Sequence, residues 1–121
     1  MGSFSLGKHS EPQPDLAIFP FDPEFYARRP YPKPNEFVAF IEIASSSFSY
    51  DAEVKMRLYA RFGIPDYLLV DVKKHRLLRY RDPATDGYAT VRELSYGDTF
   101  ALARLPEIDL VADAFLRFRR D

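Results

Sequence analysis

The chain has 121 residues, enough for one domain with a real hydrophobic core. Its 46% hydrophobic, 16% aromatic and 29% charged residues describe a globular protein, not a disordered one. A net charge of -1 offers no global positive field to nucleic acid, and the lack of cysteine excludes disulfides, zinc ribbons and thiol nucleophiles.

Along the chain, Phe4 and Leu6 alternate in a segment able to form a short edge strand. Glu11-Pro12-Gln13-Pro14 cannot be helical, because each proline restricts itself and its predecessor. A short apolar strand is predicted over 15–19, stopped by Pro20. Residues 20–34 hold half of the ten prolines and read as a stiff loop with one helical turn over 23–28. Residues 37–43 form the most buried-looking strand, apolar on both faces except at Glu42. After the break at Ser45-Ser46-Ser47, Ser49 or Asp51 can cap a helix over 50–62. Val54, Leu58 and Phe62 are its expected core stripe, and Gly63 and Pro65 end it.

A second core strand over 67–72 turns back through Lys73-Lys74-His75 into 76–80. Asp82-Pro83 and Asp86-Gly87 mark the next turn, before a strand over 88–94. A strand near 99–102 and a short helix near 111–118 complete a mixed α/β core. No signal peptide and no long apolar run is seen, so the cytoplasm is the default location.

Glu42 is the anomaly, since a carboxylate within such an apolar strand is costly unless paired or bound to a metal. Asp15 stands at the mouth of its own strand, and two carboxylates converging at one sheet end make a hard-oxygen site for Mg²⁺ or Mn²⁺. Lys55, early in the following helix, lies one step from Val54 on the border of the buried face. There it could orient a nucleophile and stabilise developing negative charge. Tyr59 shares its helix face four residues on, as a support of the site or as ordinary core. Each residue also has a plain structural reading. Glu42 would bond the serine turn, Asp15 would cap a turn, and Lys55 would be a solvated helix residue. The basic stretch Lys73, Lys74, His75, Arg76, Arg79 and Arg81 reads first as a solvated hairpin and second as a DNA contact. Ser45-Ser46-Ser47 with His75 lacks any nucleophile elbow.

Pro14-Asp15-Leu16, then Ile41-Glu42-Ile43-Ala44-Ser45-Ser46-Ser47, then Tyr50-Asp51-Ala52-Glu53-Val54-Lys55 resembles the Uma-type family of putative restriction endonucleases. The run from Leu58 through Gly63-Ile64-Pro65-Asp66-Tyr67 to Asp71 continues the likeness, as do Phe25-Tyr26-Ala27-Arg28-Arg29 and Arg81-Asp82-Pro83. The resemblance implies one PD-(D/E)xK nuclease domain over 1–121. Its expected fold is a restriction-endonuclease-like mixed sheet core, with a helix after the catalytic strand and a C-terminal β meander. It implies Asp15 as the "PD" aspartate, Glu42 as the acid of the second element, and the Ile43 carbonyl as a further metal ligand. Ala44 occupies the lysine slot of that element, so Lys55 on the next helix would serve instead. The implied activity is Mg²⁺-dependent hydrolysis of DNA phosphodiester bonds, with Mn²⁺ as a possible substitute. The family usually has a longer segment, with a helix and a further glutamate, before the "PD" strand. The chain therefore reads as N-terminally truncated. Two expectations follow: a homo-oligomer that supplies the missing layer, or an inactive remnant that binds a partner or DNA.

Overall fold

The computed structural model describes residues 14–20, 24, 33–44 and 49–117. The elements are β1 (Leu16–Ile18), a 3-10 turn (Pro34–Glu36), β2 (Ala39–Ala44), α1 (Ser49–Arg61), β3 (Asp66–Asp71), β4 (Arg76–Ala84), β5 (Gly87–Leu94), β6 (Thr99–Leu102), β7 (Leu105–Val111) and α2 (Asp113–Leu116). The expected strand near Phe4 and most of the expected turn over 23–28 lie outside the described residues, as do Ser45, Ser46 and Ser47.

One mixed sheet runs β1-β2-β3-β4-β5. Only β2 and β3 are parallel, because α1 carries the chain back across the sheet between them. The other neighbours are antiparallel, and β3-β4-β5 is a meander. This is the restriction-endonuclease-like mixed core that the sequence suggests. β6 and β7 form a separate two-stranded sheet.

Period-2 alternation divides the core in two. Phe40, Tyr67, Leu69 and Leu78 face α1, where they pack with Tyr59, Ile64, Met56 and Ala52. Ala39, Ile41, Leu68, Val70, Leu77 and Leu94 face the other way, under Phe100 and Leu102 of β6 and under Leu116 of α2. Both faces of β2 and β3 are thus covered, which accounts for their unbroken apolar runs.

The helix ends as expected. Gly63 adopts φ 76°, its N–H reaches the Ala60 carbonyl at 2.9 Å, and the Ile64 N–H reaches the Tyr59 carbonyl at 3.1 Å. This is the paired bonding of a Schellman motif, which favours glycine at that position. Of its expected stripe, Leu58 and Phe62 pack against the core and Val54 does not. Val54 is 47% exposed, while Tyr59 and Ala60 are buried and Met56 packs inward. The helix is rotated so that Tyr59, and not Val54, faces the sheet.

Three further expectations are corrected. Asp82-Pro83 is not a turn, since β4 continues to Ala84 and the turn falls at Thr85 and Asp86. Asp82 turns through φ 63° and drops out of the ladder, its Oδ2 accepting from the Thr90 hydroxyl at 2.7 Å. Proline is tolerated just beyond such an irregularity. The C-terminal helix is only Asp113–Leu116, because Leu110 and Val111 pair with Phe100 and Thr99. β7 itself was not anticipated: Pro106 and its solvent-exposed acids hide the strand pattern.

A buried ion pair fastens the β6–β7 hairpin to the sheet. Asp66 is fully buried, and its carboxylate accepts from Arg81 Nε at 2.9 Å and Nη2 at 3.2 Å. The same carboxylate accepts from the Ala103 N–H at 2.6 Å, while Arg81 Nη2 also donates to the Ala101 carbonyl at 2.6 Å. Arg104 adds bonds to the Asn35 and Phe37 carbonyls at 2.6 and 3.1 Å, ahead of β2. Replacing Asp66 with alanine leaves a partly buried guanidinium and a backbone N–H unpaired. Asp66→Ala is expected to lower the unfolding free energy by about 3 kcal/mol in urea titration, and a loss below about 1 kcal/mol would remove the clamp from the account of stability.

Candidate active site at the end of β2

The site begins with strand register. Leu16 pairs with Ile41 and Ala17 with Phe40, so the chain enters β1 close to Glu42 and Ile43. β1 has ended there, and the Asp15 side chain takes over its pairing role. Asp15 Oδ2 accepts from the Ile43 N–H at 2.7 Å. In extended backbone the N–H and C=O of one residue point to the same side, so the Ile43 carbonyl also leans toward Asp15.

Glu42 is 6% exposed. Its Oε2 accepts from the Tyr59 hydroxyl at 2.6 Å, and Lys55 Nζ stands 3.5 Å from Oε1. Lys55 and Tyr59 are four residues apart and share one side of α1, which is why both reach the same carboxylate. The rotation that exposes Val54 is the one that brings them there. Lys55 remains 38% exposed at its side chain, so the ammonium sits at the rim of the site.

Burial pushes the Glu42 carboxyl above the ordinary glutamate range. The Tyr59 hydrogen bond and the Lys55 charge pull it down and Asp15 pushes it up, with a net rise. Tyr59 is pushed upward by burial and by Glu42, which keeps it a hydrogen-bond donor.

The floor is aromatic. Phe40 and Tyr59 meet edge-on at 4.8 Å, Tyr59 and Tyr67 at 5.1 Å, and Tyr67 stacks on Tyr80 at 5.3 Å. Such a floor lowers the local dielectric and strengthens charge interactions above it. Tyr67 is fully buried, and its hydroxyl has no hydrogen-bond partner among the described residues. Burial, then the Glu42 charge, raises its pKa.

Asp15, Glu42, Ile43 and Lys55 thus meet at one place. Among the described residues no group of three or more His, Cys, Asp or Glu side chains is arranged to hold a metal. Asp15, Glu42 and the Ile43 carbonyl are oxygen groups of the kind that could hold Mg²⁺ or Mn²⁺. His75 is elsewhere, with Nδ1 3.2 Å from the Tyr96 hydroxyl. Much of the basic stretch is committed to structure. Arg76 pairs with Asp71 and Glu93, and Arg81 with Asp66. Tyr59 is core and also donates to Glu42. Tyr67 had no signal in the sequence, because an aromatic in a buried strand is ordinary.

The family model described as "Uma2: Putative restriction endonuclease" matches residues 3–113. The chain belongs to this family. No curated protein matches the sequence. The description points an Uma2-family chain toward nuclease activity, with DNA as the substrate. Among the described residues of this Uma2-family chain, no helix is long and apolar enough to cross a membrane.

A raised carboxyl pKa is also a statement about stability. The folded protein holds the Glu42 proton more tightly than the unfolded chain does, so stability falls as pH rises through the folded pKa. Glu42→Gln abolishes that loss while keeping an acceptor for Tyr59. Its melting temperature is expected to match wild type below the ordinary glutamate range and to exceed it increasingly toward neutral pH. Parallel melting curves across that interval, without metal, would contradict this reading of Glu42.

Proposed function

We propose that this chain is a Mg²⁺-dependent endonuclease that hydrolyses DNA phosphodiester bonds at the end of β2. The observation that carries the reading is the buried Glu42 carboxylate, reached by Tyr59 and Lys55 and set beside Asp15. Apolar strands do not keep such a group without a use for it. Asp15, Glu42 and the Ile43 carbonyl would hold the ion. When bound, Mg²⁺ supplies Lewis acidity at the scissile phosphate.

The chain's own groups do the rest. Asp15 holds the end of β2 in place through the Ile43 N–H, so both carboxylates start from a fixed spacing. Tyr59 orients Glu42 from below without competing as an anion. Lys55, half in solvent, can leave Glu42 for a phosphate oxygen or an attacking water. There its charge would stabilise the negative charge that develops in the transition state.

Plasmid nicking with Mg²⁺ or Mn²⁺ tests the proposal directly. Lys55→Ala and Glu42→Ala are each expected to cut the rate by about 100-fold or more, the usual scale for removing an electrostatic stabiliser. Equal nicking by wild type and both variants would identify a contaminant and sink the assignment. A second readout does not depend on turnover: calorimetric Mn²⁺ binding is expected in wild type and lost in Glu42→Ala. Tyr59→Phe should retain cleavage but require more metal for half-maximal rate, since it acts by positioning Glu42. An unchanged metal requirement would confine Tyr59 to packing.

A further inference from the structure

The face of the sheet away from α1 holds a charge that the proposed reaction does not use. Arg79 lies on β4 between Leu77 and Arg81 and pairs in register with Leu68, so it points toward the β6–β7 side. It is 9% exposed. Its Nε is sealed from solvent without a hydrogen-bond partner, and its guanidinium forms no ion pair with any described residue.

The surroundings add to the problem. Directly across the β4–β5 ladder stands Arg92, which is exposed, and two residues along stands Arg81. Like charges placed opposite each other in a sheet repel. The carboxylates whose field reaches Arg79 are those of Asp66 and Asp82. Both are already engaged, Asp66 by Arg81 and the Ala103 N–H, and Asp82 by the Thr90 hydroxyl. Burial, then the charge of Arg81, holds the Arg79 pKa below its usual value.

A largely buried arginine with an unpartnered Nε, flanked by two further arginines and by carboxylates engaged elsewhere, is a cost to the folded chain, and such groups are normally compensated. We propose that Arg79 and Arg92 form a binding site for a phosphate-type oxyanion, on the opposite side of the sheet from Glu42. Two guanidinium forks from neighbouring strands suit a multiply charged tetrahedral anion, whose several oxygens can accept from both at once. Arg79 keeps 9% of its surface exposed, and exposed Arg92 would meet the anion at the surface. Inorganic phosphate and a nucleic-acid backbone offer the same chemistry. The site does not depend on the nuclease reading.

Thermal unfolding with inorganic phosphate, against chloride at matched ionic strength, tests the site. The wild-type midpoint is expected to rise by about 3 °C or more in phosphate. Arg92→Gln, a surface change that leaves packing intact, should lose most of that rise. Arg79→Met should lose all of it, and in chloride should be at least as stable as wild type. Glu42→Gln should keep the full rise, which separates this site from the one on the α1 face. A short DNA duplex in EDTA distinguishes the sources. A rise in wild type that is absent from Arg92→Gln assigns the anion to the DNA backbone, and a rise with phosphate alone assigns it to the free ion. An equal rise in wild type and both arginine variants, or no wild-type response to either probe, would overturn the proposal.

Discussion

The contact between Glu42 and Tyr59 couples the one charged side chain within β2 to the one helix that covers it. A carboxylate left 6% exposed among Phe40, Ile41 and Ile43 is poorly solvated, and among the described residues α1 brings its side-chain donors. Satisfying it requires Tyr59 and Lys55 to face the sheet, and that requirement sets the helix rotation. Val54 is displaced to solvent as a result, although by size and apolarity it is the better core residue. Tyr59 then joins Phe40, Tyr67 and Tyr80 in a continuous aromatic layer, so the packing of this half follows from one polar contact.

The two faces of the sheet solve different problems. The α1 face carries a charged group that is held at a cost, the pattern expected where function competes with stability. The other face spends its buried charge on architecture. Asp66 and Arg81 fasten the β6–β7 hairpin, and Arg104 ties it to the backbone that enters β2. β2 and β3 are therefore gripped from both sides, and a catalytic constellation gains from such rigid support. Arg79 fits neither pattern, being buried on the structural face with its Nε unpartnered among the described residues.

Membership of the Uma2 family and the geometry at the end of β2 are separate lines of support. The family description brings the nuclease class and DNA. The coordinates bring an acid pair joined by strand register and a lysine 3.5 Å from one of the acids. The family description speaks to the class of activity, and the geometry speaks to which residues are brought together.

By itself the sequence determined the order and kind of most elements, because periodicity, proline and glycine act locally. The runs around Glu42 and Leu68, the stop at Gly63 and the turn after Asp71 all follow from neighbouring residues. It also singled out Glu42, since an acid within an apolar run stands out without any structure. Only the tertiary structure decided which side of α1 is buried. Leu58 and Phe62 of the apolar stripe pack on the core, but Val54 gives way to Met56 and Tyr59, a rotation tied to a carboxylate 17 residues from Tyr59. The same holds for β7, which becomes a strand only by pairing with β6, and for the extension of β4 past Asp82. It holds above all for Arg79, whose lack of a partner is a property of everything packed around it. Local rules report what each segment prefers, whereas buried charge is settled by long-range contacts, and the candidate sites of this protein are made of buried charge.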